Sequence, residues 1–305
     1  MRLTISVSNH FSMCPFYLAL ESGYFTGAGF DIEVVRDTQT AQSLPLLAAG
    51  KLDVGFIAFG PSVANAVIRG ARVRLVAGRE LISQSCGSAG TIFLSRKAFP
   101  KGVRTMRELR GCRIGFAGSV PGTGQLLGTL LENEGMGPKD IALIRMREPE
   151  CVAALRTGGL DAYMSSEAGF TPEMRHLDLV RGPSVADLLS NFQYSFIAFG
   201  SRLLDGPVET GARFLRAYFR GAAEFLGGRT PRFLDDFARS ADLDPQLLRQ
   251  TCRATFERDG SIHLEDLRRN MRWMTAQGLC PANLDPGMFI DTRFLEAARS
   301  LGQRK

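Results

Sequence analysis

Two side chains with usable chemistry fall within five consecutive positions: the His10 imidazole and the Cys14 thiol. A histidine can give or take a proton near neutrality, and a cysteine at a helix start loses its proton more readily than a free thiol. Cys14 is followed by Pro15, which favours the first turn of a helix, so the loop Ser8–Cys14 feeds a helix whose first N–H groups lack intrahelical partners. Two chemistries follow. Asn9, His10, Phe11, Ser12 and Cys14 can hold a polar or anionic ligand, or Cys14 and His10 can act as nucleophile and acid/base. Against both stands the plain reading, in which His10 is a loop histidine and Cys14 a small apolar filler.

Three further mouths of this kind occur. Thr40 precedes a helix. Phe59-Gly60-Pro61-Ser62 leads into another, with Ser62 suited to cap it. Ser119-Val120-Pro121-Gly122-Thr123-Gly124 is flexible enough to turn backbone N–H groups toward a ligand, although it lacks the lysine and spacing of a phosphate loop. Glu167, beyond a later strand, is placed to anchor a ligand amine. Arg79 and Glu80 are expected at the end of the fourth strand. Phe11, Phe16, Phe56, Phe59 and Tyr163 can wall a flat heterocycle or fill the core. No convincing Ser/His/Asp set, carboxylate pair or metal spacing is found, so no cofactor and no metal are expected.

The elements that must position these residues alternate. Strands are expected at Leu3–Val7, Asp31–Val35, Val54–Ala58 and Val73–Ala77, with helices at Phe16–Ser22, Thr40–Ala49 and Ser62–Arg69 between them. A second series has strands at Thr91–Ser95, Arg113–Phe116, Ala142–Met146 and Ala162–Ser165. A strand at Tyr194–Phe199 carries the chain back, and the remainder reads helical. One phrase repeats: Leu47-Ala48-Ala49-Gly50-Lys51-Leu52-Asp53-Val54-Gly55 echoes Ala154-Leu155-Arg156-Thr157-Gly158-Gly159-Leu160-Asp161-Ala162. Each is a helix end, a glycine turn, and Leu-Asp entering a strand.

Composition bounds the rest. The 305 residues fit two domains, and 45% hydrophobic with 22% charged residues is ordinary for a globular protein. The net charge of +6 is scattered, without the basic stripe of a nucleic-acid binder. No apolar run is long enough to span a membrane, and no export signal precedes the first strand. Six cysteines without a CxxC pair lean toward a reducing compartment.

The line Pro15-Phe16-Tyr17-Leu18-Ala19-Leu20-Glu21-Ser22-Gly23-Tyr24-Phe25, followed by Gly29-Phe30-Asp31-Ile32-Glu33, resembles the start of periplasmic solute-binding proteins of the nitrate/sulfonate/taurine/thiamine-precursor type. Thr105-Met106-Arg107-Glu108-Leu109-Arg110-Gly111 and the stretch from Ala153 to Glu167 are similar to later segments of that family. At the second, Ser166 and Ala168 replace the Trp and Pro that flank the family's acidic residue. The resemblance implies an α/β type II periplasmic-binding-protein fold of two lobes. Each lobe is a mostly parallel sheet flanked by helices, with the ligand cleft between them and closure about a hinge. Lobe 1 is expected over 1–87 plus 198–305, and lobe 2 over 88–197.

It implies a small organic solute, anionic or heterocyclic, handed to the membrane component of an ABC transporter, with no nucleic-acid partner. The alternative is a cytoplasmic enzyme on the same fold, a desulfinase, decarboxylase or pyrimidine-precursor enzyme using Cys14 or His10. The cysteine-rich motif of the thiamine-pathway pyrimidine synthases is absent. The binding reading implies a periplasmic or cell-surface protein whose export signal is not in this sequence; the enzyme reading implies the cytoplasm.

Overall fold

The computed structural model describes residues 1–36, 40–82, 90–116, 125–137, 139–165, 174, 176–189, 191–240, 245–250 and 255–303. The strands are β1 (Arg2–Val7), β2 (Asp31–Arg36), β3 (Val54–Ala58), β4 (Arg74–Leu81), β5 (Thr91–Ser95), β6 (Arg113–Phe116), β7 (Ala142–Arg145), β8 (Ala162–Ser165), β9 (Leu179–Ser184), β10 (Gln193–Phe199) and β11 (Thr255–Phe256). The chain divides into two compact units. The first comprises Met1–Leu81, Gln193–Arg249 and Thr255–Lys305, and the second Ile82–Phe192 with Gln250–Ala254.

Unit 1 holds a sheet in the order β11-β4-β10-β3-β1-β2. β1 runs parallel to both β2 and β3, whereas β10 lies antiparallel between β3 and β4. Leu3, Ile5, Val54 and Ile57 of this sheet are buried, and so are many phenylalanines of the unit. Phe25 and Phe214 stack at 5.1 Å, and Phe199 meets Phe294 edge-on at the same separation.

The helix Cys14–Glu21, with Pro15 in its first turn, packs on the long helix Val208–Leu226. Contact is close at Gly221, where an added Cβ would lie 2.4 Å from the Pro15 carbonyl oxygen and 2.6 Å from the Ala19 Cβ. That approach fixes the mouth of the first helix. Gly23, at φ 72°, ends the following turn in a conformation that suits glycine.

Unit 2 has the order β7-β6-β8-β5-β9, with β6 parallel to β7 and β8, and β5 antiparallel to both of its neighbours. Tyr163 and Phe93 are core residues here, packed with Cys151, Leu155 and Leu160. The two-lobed α/β class expected from the sequence is thus found, each sheet being mostly of one strand sense, with β10 and the edge strand β11 reversed in unit 1 and β5 reversed in unit 2. Neither β9 nor β11 was expected.

The repeated phrase has a structural meaning. In unit 1, Asp53 Oδ2 accepts the Thr4 N–H at 2.8 Å, and the Asp53 N–H returns a bond to the Thr4 carbonyl at 2.8 Å. In unit 2, Asp161 Oδ2 accepts the Arg113 N–H at 2.8 Å and its N–H bonds the Arg113 carbonyl at 3.0 Å. Each aspartate therefore clamps the neighbouring parallel strand at its start, and each is neutralised by an arginine, Arg202 or Arg113.

Candidate functional site

β4 runs four residues beyond the expected end at Ala77, so Arg79 and Glu80 lie inside the sheet. Pairing with β10 is irregular there: Gln193 faces Leu81, Ser195 faces Glu80, and Phe196 faces Gly78. Tyr194 is thus the extra residue on β10 and Arg79 the extra residue on β4. Such bulges re-aim side chains that would otherwise alternate between faces. Here they bring the side chains of consecutive residues together, with Arg79 Nη2 at 2.8 Å from Glu80 Oε2 and both side chains about 95% buried (5% and 6% exposed).

The Arg79 guanidinium is engaged at all three nitrogens. Nε donates to Ser195 Oγ at 2.9 Å, Nη1 to the Ser12 carbonyl at 2.9 Å, and Nη2 to Ser12 Oγ at 3.1 Å as well as to Glu80. The rings of Phe56 and Phe256 lie 5.5 and 6.0 Å from its Cζ. This arginine is saturated by the protein, and its charge is cancelled by Glu80.

Ser12 links the buried pair to His10. The His10 Nδ1 lies 3.2 Å from the Ser12 amide nitrogen and 3.0 Å from Ser12 Oγ. His10 keeps accessible surface, yet the protein atoms packed around the ring hold its pKa below the ordinary value. Lost hydration is the main cause. The Glu80 carboxylate opposes it and Arg79 adds to it. An imidazole at the edge of the fold can be open to water on one side and desolvated on the other.

Two phenols complete the surroundings. Burial pushes the Tyr194 hydroxyl well above its ordinary pKa, with the Glu80 carboxylate raising it further, both by its charge and by their hydrogen bond, and Arg79 opposing. Tyr218 is raised for the same first cause, and its Oη finds no hydrogen-bond partner among the described residues.

The sequence-derived candidates fall as follows. His10 and Ser12 belong to this network. Phe11 is buried, edge-on to Phe225 at 5.8 Å. Cys14 is fully buried as the first residue of its helix, so the thiol is enclosed. Asn9 is exposed and lines a separate small cavity of about 190 Å³ with Tyr17, Arg36, Phe233 and Phe237. Thr40 begins the helix Thr40–Ala48, and its side chain lies outside the described residues. Phe59 is a core residue packed on Phe289 at 5.0 Å.

Gly60, and not Ser62, occupies the cap of the helix Pro61–Ile68, because Pro61 takes the first helical position; the buried Ser62 Oγ has no partner among the described residues. Ser119, Gly122, Thr123, Gly124 and Glu167 lie outside the described residues. Among the described residues no group of three or more His, Cys, Asp or Glu side chains can hold a metal ion, and no helix is long and apolar enough to cross a membrane. Arg79, Glu80, Tyr194 and Ser195 were not singled out as one site. The one available signal was a charged pair, Arg79-Glu80, running on from the apolar stretch Val73–Ala77.

Comparison with known proteins adds the family. A stretch of 132 residues is 29% identical to the 4-amino-5-hydroxymethyl-2-methylpyrimidine phosphate synthase THI11 of Saccharomyces cerevisiae, covering 43% of this chain and 36% of that protein. The match thus spans little more than a third of the curated relative. Among solved structures, the periplasmic aliphatic sulphonate binding protein SsuA from Escherichia coli is similar with a TM-score of 0.74 and 16% identity, over 95% of this chain and 92% of that one. The desulfurization enzyme DSZB is similar with a TM-score of 0.62 and 15% identity, over 99% of each chain. At such identities the likeness is one of fold. The family described as NMT1/THI5 like matches residues 10–227, from His10 through the long helix that packs on the first one, and the chain belongs to that family.

Proposed function

We propose that this protein binds a small organic solute, anionic or heterocyclic, at the mouth formed by the Asn9–Cys14 loop, and delivers it to the membrane component of an ABC-type importer. The observation that carries the reading is the network His10–Ser12–Arg79–Glu80. Withdrawing two charges from water stabilises a fold little or not at all compared with apolar residues, so a buried pair directly behind a ligand-facing loop points to a functional reason for it. Family membership and the sulfonate-binding fold neighbour support a solute-binding role. Delivery to an importer would set the protein in the periplasm or at the cell surface.

Native mass spectrometry of the purified protein tests this directly. A small molecule released on unfolding is expected, and His10→Ala should weaken its rebinding while leaving the thermal transition in place. Unchanged affinity in that variant would remove the site from this loop.

The second reading is an enzyme, favoured by the synthase relative and by the desulfurization enzyme of the same fold. It would use Cys14 as nucleophile or His10 as acid/base, and the enclosed Cys14 thiol would have to be uncovered first. Turnover of a bound solute that is abolished by Cys14→Ser with binding retained would establish it.

A further inference from the structure

Two groups of Ser12 converge on one nitrogen of His10. The Ser12 backbone N–H points at Nδ1 from 3.2 Å, and a backbone N–H can only donate. Nδ1 must therefore offer its lone pair, which leaves the ring proton on Nε2. The Ser12 hydroxyl lies 3.0 Å from the same nitrogen. Its oxygen accepts from Arg79 Nη2 at 3.1 Å, so the hydroxyl proton is directed to Nδ1. Arginine has no acceptor and stays charged, so the direction of donation cannot reverse. It runs from Arg79 to Ser12 to His10, while Glu80 takes another Arg79 N–H at 2.8 Å.

We propose that Arg79, acting through Ser12, is a positioning residue that locks His10 as its Nε2–H tautomer, so that the mouth presents a neutral hydrogen-bond donor. A solute meeting His10 must then offer an acceptor there, whether a ring nitrogen or an oxygen of an acidic group. This last clause rests on the solute-binding reading; the tautomer does not. Direct pairing of Arg79 with an acidic solute is closed off, because every guanidinium nitrogen is engaged and Glu80 cancels the charge.

The elements packed around His10 carry few other titratable groups that bear on it. β4 supplies Arg79 and Glu80, β10 supplies Tyr194, and the helix Val208–Leu226 supplies Tyr218. The helix Phe233–Ser240 brings Phe237 to 6.5 Å from the imidazole and carries Asp235, paired with Arg249, and Asp236 and Arg239, which are paired with each other. The lowered His10 pKa accords with a ring kept neutral by its neighbours.

The experiment is NMR of the full chain with ¹⁵N-labelled histidine, which identifies the protonated ring nitrogen. Only three histidines are present, and His176 and His263 serve as internal controls. At pH 7 the wild-type His10 should be protonated on Nε2 alone. Ser12→Ala removes the hydroxyl donor but keeps the backbone N–H on Nδ1, so it should weaken the preference for Nε2–H and shift the titration midpoint upward, and Ser12→Thr, which keeps the hydroxyl, should restore the wild-type spectrum. Arg79→Gln should act in the same direction as Ser12→Ala, which covers the event that the buried arginine variant fails to fold. A wild-type Nδ1–H tautomer overturns the proposal, as does a Ser12→Ala spectrum with unchanged tautomer and midpoint. Failure of solute binding itself would appear in native mass spectrometry, on which this experiment does not depend.

Discussion

Arg79 and Glu80 are consecutive in β4, and their side chains nevertheless meet at 2.8 Å on one side of it, because Arg79 is the unpaired residue of a bulge. The extra residue on β10, Tyr194, compensates for it one step away, so the sheet resumes its register at Phe196 and Gly78. A local fault in pairing thus places a cation, its counter-ion and a phenol behind the His10 loop.

Breaking this pair from one side should be costly. Arg79→Met leaves the Glu80 carboxylate buried without its cation, and a loss of about 3–5 kcal/mol in unfolding free energy is expected. Adding Glu80→Gln should recover part of that loss. Urea denaturation of the single and double variants measures both, and additive losses would show that the two residues do not act as a pair.

Acidification should weaken the protein through His10. Its folded pKa lies below the unfolded value, so the unfolded chain binds the proton first. The contribution is complete above the unfolded pKa, near 6.5, and is lost as pH falls from there toward the folded value. Between about pH 7 and pH 5 the urea midpoint of wild type should fall relative to that of His10→Gln; parallel curves would contradict the assignment.

The two strand clamps should differ in strength. The Asp53 side chain is 3% exposed and that of Asp161 is 25% exposed. Asp53→Ala takes the carboxylate from the half-buried Thr4 N–H and from Arg202, itself half exposed, and should cost about 1–3 kcal/mol, whereas Asp161→Ala should cost about 1 kcal/mol or less. Arg113 holds the Asp161 carboxyl below its ordinary pKa, so this smaller contribution is present above the usual carboxylate range and fades as pH falls through it. Equal losses in the two variants would argue against burial as the deciding factor.

Gly221→Ala should disturb the first helix. The new methyl would stand 2.4 Å from the Pro15 carbonyl oxygen, which is backbone and cannot rotate away. Overpacking of this kind costs roughly 1–3 kcal/mol. Because Pro15 borders the loop holding His10, loss of stability should be accompanied by a change in the His10 NMR signals, which a remote helix defect would leave alone.

Much of the framework could be read from local pattern. The opening strand, the helix bounded by Pro15 and Gly23, the turn at Gly29 and the two Leu-Asp entries depend on residues near one another in the chain, and the structure has them close to where they were expected. The site depended on partners far apart. Arg79 finds Ser12 across 67 positions and Ser195 across 116, and its inward aim depends on a register shift that alternation of residue types does not encode. Gly78-Arg79-Glu80 therefore looked like a polar strand end. Ser62 misled for a local reason, since a cap residue and a second-position serine differ only by where Pro61 sits.

The chain's route through β4 and β10 has one more consequence. Leu81 closes one stretch of unit 1 and Gln193 opens the next, and these two residues are register partners on adjacent antiparallel strands. In effect unit 1 contains a hairpin whose turn has been replaced by the whole of Ile82–Phe192. Arg79 and Tyr194, two of the residues left unpaired where the register shifts, sit within two positions of the splice. A slip of one residue between these two strands would turn both side chains to the opposite face, so the network behind His10 depends on the register held beside that splice.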